Sequence, residues 1–128
     1  MNLIVFTCNG LISSPADADE YVVVDLSRGV VVIGPFRVRA EDYGVSKIAK
    51  AVSRVKLMGL DLDGLVVSRI GLKGLEMASG LGLKVFKAEG ALGELISGSV
   101  EIREVTINTV DHYCKCCGLA PDVTGLKA

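Results

Sequence analysis

Residues 65–88, LVVSRIGLKGLEMASGLGLKVFKA, change their period twice. Residues 64–70 are a run of β-formers, and 83–88 (LKVFKA) are another. Between them, 71–82 (GLKGLEMASGLG) reads as a short helix weakened by its glycines. Strand, helix and strand at this spacing form a βαβ unit. Its two strands are expected to lie parallel in one sheet, joined by a right-handed crossover.

Upstream, 3–8 (LIVFTC) is an apolar strand closed by the turn pair Asn9–Gly10, and a polar loop, SSPADADE, follows. Residues 21–27 and 30–38 then read as a hairpin turning near Arg28–Gly29. Pro35 cannot donate to a ladder, so the second arm is expected at a sheet edge or bulged. Val45, Ile48, Ala49, Val52 and Val55 recur at three- and four-residue spacing and predict a helix over 45–58. Lys47, Lys50, Arg54 and Lys56 fall elsewhere on its circumference. Asp42 is the expected N-cap and Gly59 the expected stop. Downstream, ALGELISG reads as a short helix and 99–107 as a last strand bulged near Arg103–Glu104. These elements predict an α/β fold: a three-layer mixed sheet of about five strands, near the usual sheet size, with helices on both faces. A flavodoxin-like sheet competes, but its strands are parallel and the early hairpin argues against it. One domain is expected over 1–107, with 108–128 as a Cys/His-containing C-terminal extension.

Composition removes several function classes. The 128 residues carry 14 Lys and Arg against 15 Asp and Glu, a net charge of -1, without the basic stripe that nucleic-acid binding requires. No apolar run is long enough to cross a membrane, and the opening MNLIVFTCNG has no basic segment before it. A soluble, cytoplasmic protein without nucleic-acid or membrane partners is the expectation. Nor does a hydrolase constellation appear. G-x-S-x-G is missing, and Asp25 has no companion carboxylate for two-metal chemistry.

The chain's one histidine and three of its four cysteines crowd into HYCKCCG, residues 112–118. Thiolate and imidazole are ligands for zinc, Cu(I) or an iron–sulfur cluster, so His112, Cys114, Cys116 and Cys117 form a candidate metal site. Cys114 and Cys116 can chelate, whereas the adjacent Cys116 and Cys117 point apart, so sharing ligands across a homodimer would ease the geometry. A thiol-redox role beside Lys115, or an incidental tail, are the other readings. Cys8 ends the first strand, where open sheets bind ligands, although a cysteine there also serves as a small buried hydrophobe. Arg69 and Gly71 sit where a strand feeds a helix, a place for an anion or for close packing. Asp17, Asp19 and Glu20 make an acidic loop without the spacing of a calcium loop.

The strand at LVVSRI, the turn Ile70–Gly71, the short helix and the strand opening LKVF resemble the dinitrogenase iron–molybdenum cofactor biosynthesis family, that of NifX and the NifB C-terminal domain. The earlier EYVVVDL hairpin and the GVSKIAKAV helix fit the same order, so the resemblance spans about residues 1–98. It implies a ribonuclease-H-like fold without nuclease activity. The implied role is a non-catalytic accessory that carries or helps assemble a metal–sulfur cluster: iron–sulfur, molybdenum-containing, or in the simplest case zinc. Its partners would be the cluster and a donor or acceptor protein. A protein-interaction module with incidental cysteines is the alternative. Members of the family carry a His-Phe-Gly-like element before the second strand, where this chain reads SSPADADEY.

Overall fold

The computed structural model describes residues 1–110. Its centre is β1 (Asn2–Cys8), in which Leu3, Ile4, Val5 and Phe6 have no exposed surface. An uninterrupted apolar run of this kind suits a strand covered on both faces. β3 (Glu20–Asp25) pairs with β1 antiparallel along one edge, and β5 (Gly64–Val67) pairs with it parallel along the other. β4 (Val30–Arg37) lies outside β3, and β6 (Lys84–Lys87) and β7 (Arg103–Glu104) lie outside β5. A two-residue β2 (Leu11–Ile12) folds back onto β1.

The described sheet is therefore open and mixed, with seven strands rather than about five. The unforeseen strand, β2, is short, and so is the last one, β7. β2 exists because Asn9 and Gly10 take left-handed backbone angles (φ 53° and 82°), which close a tight hairpin directly after β1. The strand expected over 99–107 shrinks to Arg103 and Glu104, paired antiparallel with β6. The Val23–Ile33 and Tyr21–Phe36 pairs leave Val22 opposite both Gly34 and Pro35. The edge position and bulge expected at Pro35 are both present.

Among the described residues three helices cover the sheet: α1 (Gly44–Leu57), α2 (Leu72–Gly80) and α3 (Leu92–Ser97). Ile4 and Phe6 join Ile48, Val52 and Val55 of α1 and Leu75 and Ala78 of α2 in one core. Leu3 and Val5 point the other way, to Leu95 of α3. Burying each large aliphatic side chain of the α1 stripe contributes about 1.5–3 kcal/mol. Val110 also packs into the α1–α2 core, so the chain stays attached to the domain beyond residue 107. No helix of the described residues is long and apolar enough to cross a membrane.

The α1 stripe differs from the expected one. Its buried residues are Gly44, Lys47, Ile48, Ala51, Val52 and Val55, while Val45 and Ala49 are half-buried. Its N-cap is Tyr43 without a side-chain bond, and the Asp42 carboxylate instead accepts from the Lys50 ammonium at 2.9 Å. Gly59, with φ 85°, ends the helix as expected.

Gly64 marks the tightest strand contact. A methyl group there would lie 2.5 Å from the backbone carbonyl oxygen of Lys84, which cannot swing aside. Gly64→Ala should therefore cost about 1–3 kcal/mol in urea unfolding. Gly80→Ala, with nothing within 4 Å of the added carbon, should leave the midpoint within a few tenths of a kcal/mol or raise it. Equal midpoints for the two variants would contradict this packing.

Candidate functional site

β1 is where the sheet changes from antiparallel to parallel pairing, and its carboxyl end gathers several segments. Past the Asn9–Gly10 turn and β2, the loop 13–19 returns across that end. The Ser13 N–H donates to the Phe6 carbonyl at 2.9 Å, and the Asp19 N–H to the Thr7 carbonyl at 3.0 Å. Ser68, just after β5, donates its N–H to the Ser13 carbonyl, and Val38, just after β4, donates to Asp19. The loop that reads as polar in sequence is thus tied to three strand ends, and Ser13, Ser14 and Ala18 are buried.

Lys47 reaches this loop from the first turns of α1. It is 1% exposed, and its ammonium donates to the carbonyls of Ala16 at 2.7 Å and Ala18 at 2.9 Å. The sequence reading set Lys47 apart from the apolar stripe; the structure buries it with that stripe. Burial pushes its pKa below the usual lysine range, against the opposing charges of Asp17, Asp42, Cys8 and Asp19. Those four groups define the electrostatics of the site: one cation under the loop, with three carboxylates and a thiol within its field. On the loop side of Lys47, a cleft of about 380 Å³ opens between Ala16–Asp19 and Ala40–Tyr43.

The anticipated site residues are distributed as follows. Cys8 is half-buried at the end of β1 and is a free thiol. Arg69 is exposed and Gly71 buried; both follow β5, the parallel neighbour of β1, so they emerge at the same end of the sheet as Cys8. Gly71 precedes α2 with ordinary extended angles (φ -88°, ψ 175°), so its backbone does not demand glycine. None of the three lines the cleft beside Lys47. His112, Cys114, Cys116 and Cys117 lie outside the described residues. Among the described residues no three His, Cys, Asp or Glu side chains are grouped to hold a metal ion, the acidic loop at Asp17, Asp19 and Glu20 included. Asp25 serves the hairpin turn instead, its carboxylate accepting from the Ser27 and Arg28 N–H groups.

Lys47 is the residue that sequence reasoning missed. Its signal lay in the spacing: position 47 falls on the same helical stripe as 44, 48, 51, 52 and 55.

Solved structures share this fold. The crystal structure of PH0822 has a TM-score of 0.55 at 17% identity, covering 80% of this chain and 96% of that one. The NMR structure of TM1290 from Thermotoga, a candidate NifB protein placed in the DUF35 family, has a TM-score of 0.54 at 19% identity, covering 78% and 90%. At these identities the likeness is one of fold. No protein-family model matches the chain, and no curated protein does.

The lowered Lys47 pKa fixes the sign of a pH effect. The folded state binds this proton less readily than the unfolded chain, so the lysine's contribution to stability is fully present above its ordinary pKa of 10.5. That contribution is lost as pH falls through the lowered folded value. Lys47→Met leaves the Ala16 and Ala18 carbonyls without their donor. It should cost about 1–3 kcal/mol near pH 10.5, with the gap to wild type narrowing at lower pH. Urea unfolding at a series of pH values checks this, and a gap that widens on acidification would contradict it.

Proposed function

We propose that this chain is a non-catalytic accessory protein that carries, or helps to assemble, a metal–sulfur cluster, on a ribonuclease-H-like version of its mixed sheet. The observation that carries the reading is the position of Cys8, a half-buried free thiol at the carboxyl end of the strand where the sheet switches pairing. The fold likeness to TM1290 agrees with it. Cargo is anionic when built from sulfide and thiolate, and the Lys47 ammonium lies close enough to Cys8 to share its electrostatic field.

The donor chemistry limits how the cargo is held. Cys8 supplies one sulfur, and no described trio of donors completes a cage around it. Closing the coordination sphere falls to His112, Cys114, Cys116 and Cys117, in the same chain or across a homodimer. A cluster bound by so few domain ligands is one that can be passed on, to an acceptor protein or from a donor. Such a thiol set belongs in the reducing cytoplasm.

Anaerobic purification followed by elemental analysis, acid-labile sulfide assay and an absorption spectrum tests the proposal. Iron with sulfide, or molybdenum, is the expected content. Cys114, Cys116 and Cys117 changed together to Ser should abolish most of it, and Cys8→Ser should reduce it, with the fold retained in both. Uptake should release protons and weaken as pH falls, because thiolates and a neutral His112 are needed. One zinc per chain would replace the carrier reading by a structural metal site. Metal-free protein that forms a disulfide-linked dimer on oxidation would replace it by a thiol-redox one.

A further inference from the structure

A second cleft, about 240 Å³, opens on the other side of Lys47, between α1 and the end of β4. Arg37, Arg39, Lys47, Lys50 and Arg54 converge on it, against one carboxylate, Asp42. We infer that this cleft is a binding site for a phosphate-type dianion, free or carried on a small metabolite.

The charge arrangement argues for it. Lys47, Lys50 and Arg54 are spaced three and seven residues along α1, which puts them on one side of the helix. Arg37 ends β4, and Arg39 follows it. Two of the five cations are already matched: Arg39 binds Glu41 through Nε and Nη2, and Lys50 binds Asp42. Among the described residues no carboxylate pairs with Arg37 or Arg54, so two guanidinium groups remain for a ligand. Arg54 is also oriented, its guanidinium carbon lying 4.8 Å from the centroid of the Phe36 ring. Lys47 forms the inner wall. Its ammonium is held by the carbonyls of Ala16 and Ala18, which line the other cleft.

Planar guanidinium forks match the oxygens of phosphate two at a time, and two such forks favour a doubly charged oxyanion over a single carboxylate. The volume points the same way. It lies below the roughly 300 Å³ at which pockets take drug-sized ligands, so it accommodates a phosphoryl head and little more. Cys8 does not line the cleft, so the inference goes beyond the cluster-carrier reading and does not require a metal.

Titrating the full-length chain with inorganic phosphate at constant ionic strength, followed by amide NMR shifts, tests it. Saturable shifts confined to residues 37–42 and 47–54 are expected, stronger for phosphate or sulfate than for chloride. Arg37→Gln combined with Arg54→Gln should lower phosphate affinity at least tenfold, and the single exposed change Arg37→Glu should also weaken it. Lys84→Gln, on the far strand β6, should leave affinity unchanged. The Cys114, Cys116 and Cys117 to Ser variant should bind phosphate like wild type, whatever its metal content. Shifts that chloride reproduces, that never saturate, or that persist in folded arginine variants would overturn the site, while leaving the carrier proposal standing. Metal-free protein that still binds phosphate would do the reverse.

Discussion

Leu3, Ile4, Val5 and Phe6 have no exposed surface, so β1 needs apolar cover on both faces and hydrogen-bonded neighbours on both edges. The rest of the architecture meets those requirements. β3 and β5 supply the edges, antiparallel on one side and parallel on the other. A parallel neighbour cannot be reached by a tight turn, so the chain leaves β4 and crosses over through α1. That crossover is also the main cover of one face, with α2 beside it. Among the described residues the opposite face has one helix, the six-residue α3, and Leu92, Ile96, Val100 and Ile102 extend the cover. The Asn9–Gly10 hairpin steadies this thinner side, because Ile12 donates to the Gly90 carbonyl and Leu92 donates to Gly10 just as α3 begins.

The same crossover brings a charge into the interior. A lysine in the buried stripe of α1 carries a desolvation cost, and two backbone carbonyls of the loop 13–19 offset it. The exchange fixes the loop, since releasing Ala16 and Ala18 would strand the ammonium. Three strand ends are hydrogen-bonded to that loop, so the geometry at the carboxyl end of β1 depends on Lys47 as much as on the sheet. Among the described residues no buried side-chain nitrogen or oxygen lacks a partner, which makes Lys47 a satisfied charge rather than a defect.

Lys47 also divides the surface around it by sign. The cleft on its loop side is walled by Asp17, Asp19, Glu41 and Asp42, whereas the cleft beyond it gathers arginine and lysine. Cys8 belongs to neither wall. The two proposed sites, the thiol at the strand end and the oxyanion cleft beside α1, are thus separate in space, with Lys47 between them. In the proposed carrier role a domain that offers a single sulfur depends on further ligands, and Cys114, Cys116 and Cys117 are the thiols proposed to supply them.

Period and punctuation carried much of the fold. The apolar run of β1, the hairpin turn near Arg28–Gly29, the βαβ unit at 65–88 and the edge signal of Pro35 each translate directly into local geometry, and all are present. Local pattern is sufficient there because side-chain spacing alone sets which face is apolar. The candidate site was less legible. Cys8 could be placed at a strand end, but Lys47 was set outside the apolar stripe, because a lysine is buried only when distant acceptors meet it. Those acceptors are carbonyls 31 and 29 residues upstream, and backbone oxygens have no signature in a sequence. The same holds for the shrunken last strand and for the cleft at Arg37 and Arg54. Composition supplied the charges, and only the tertiary packing of β4 against α1 brought them together.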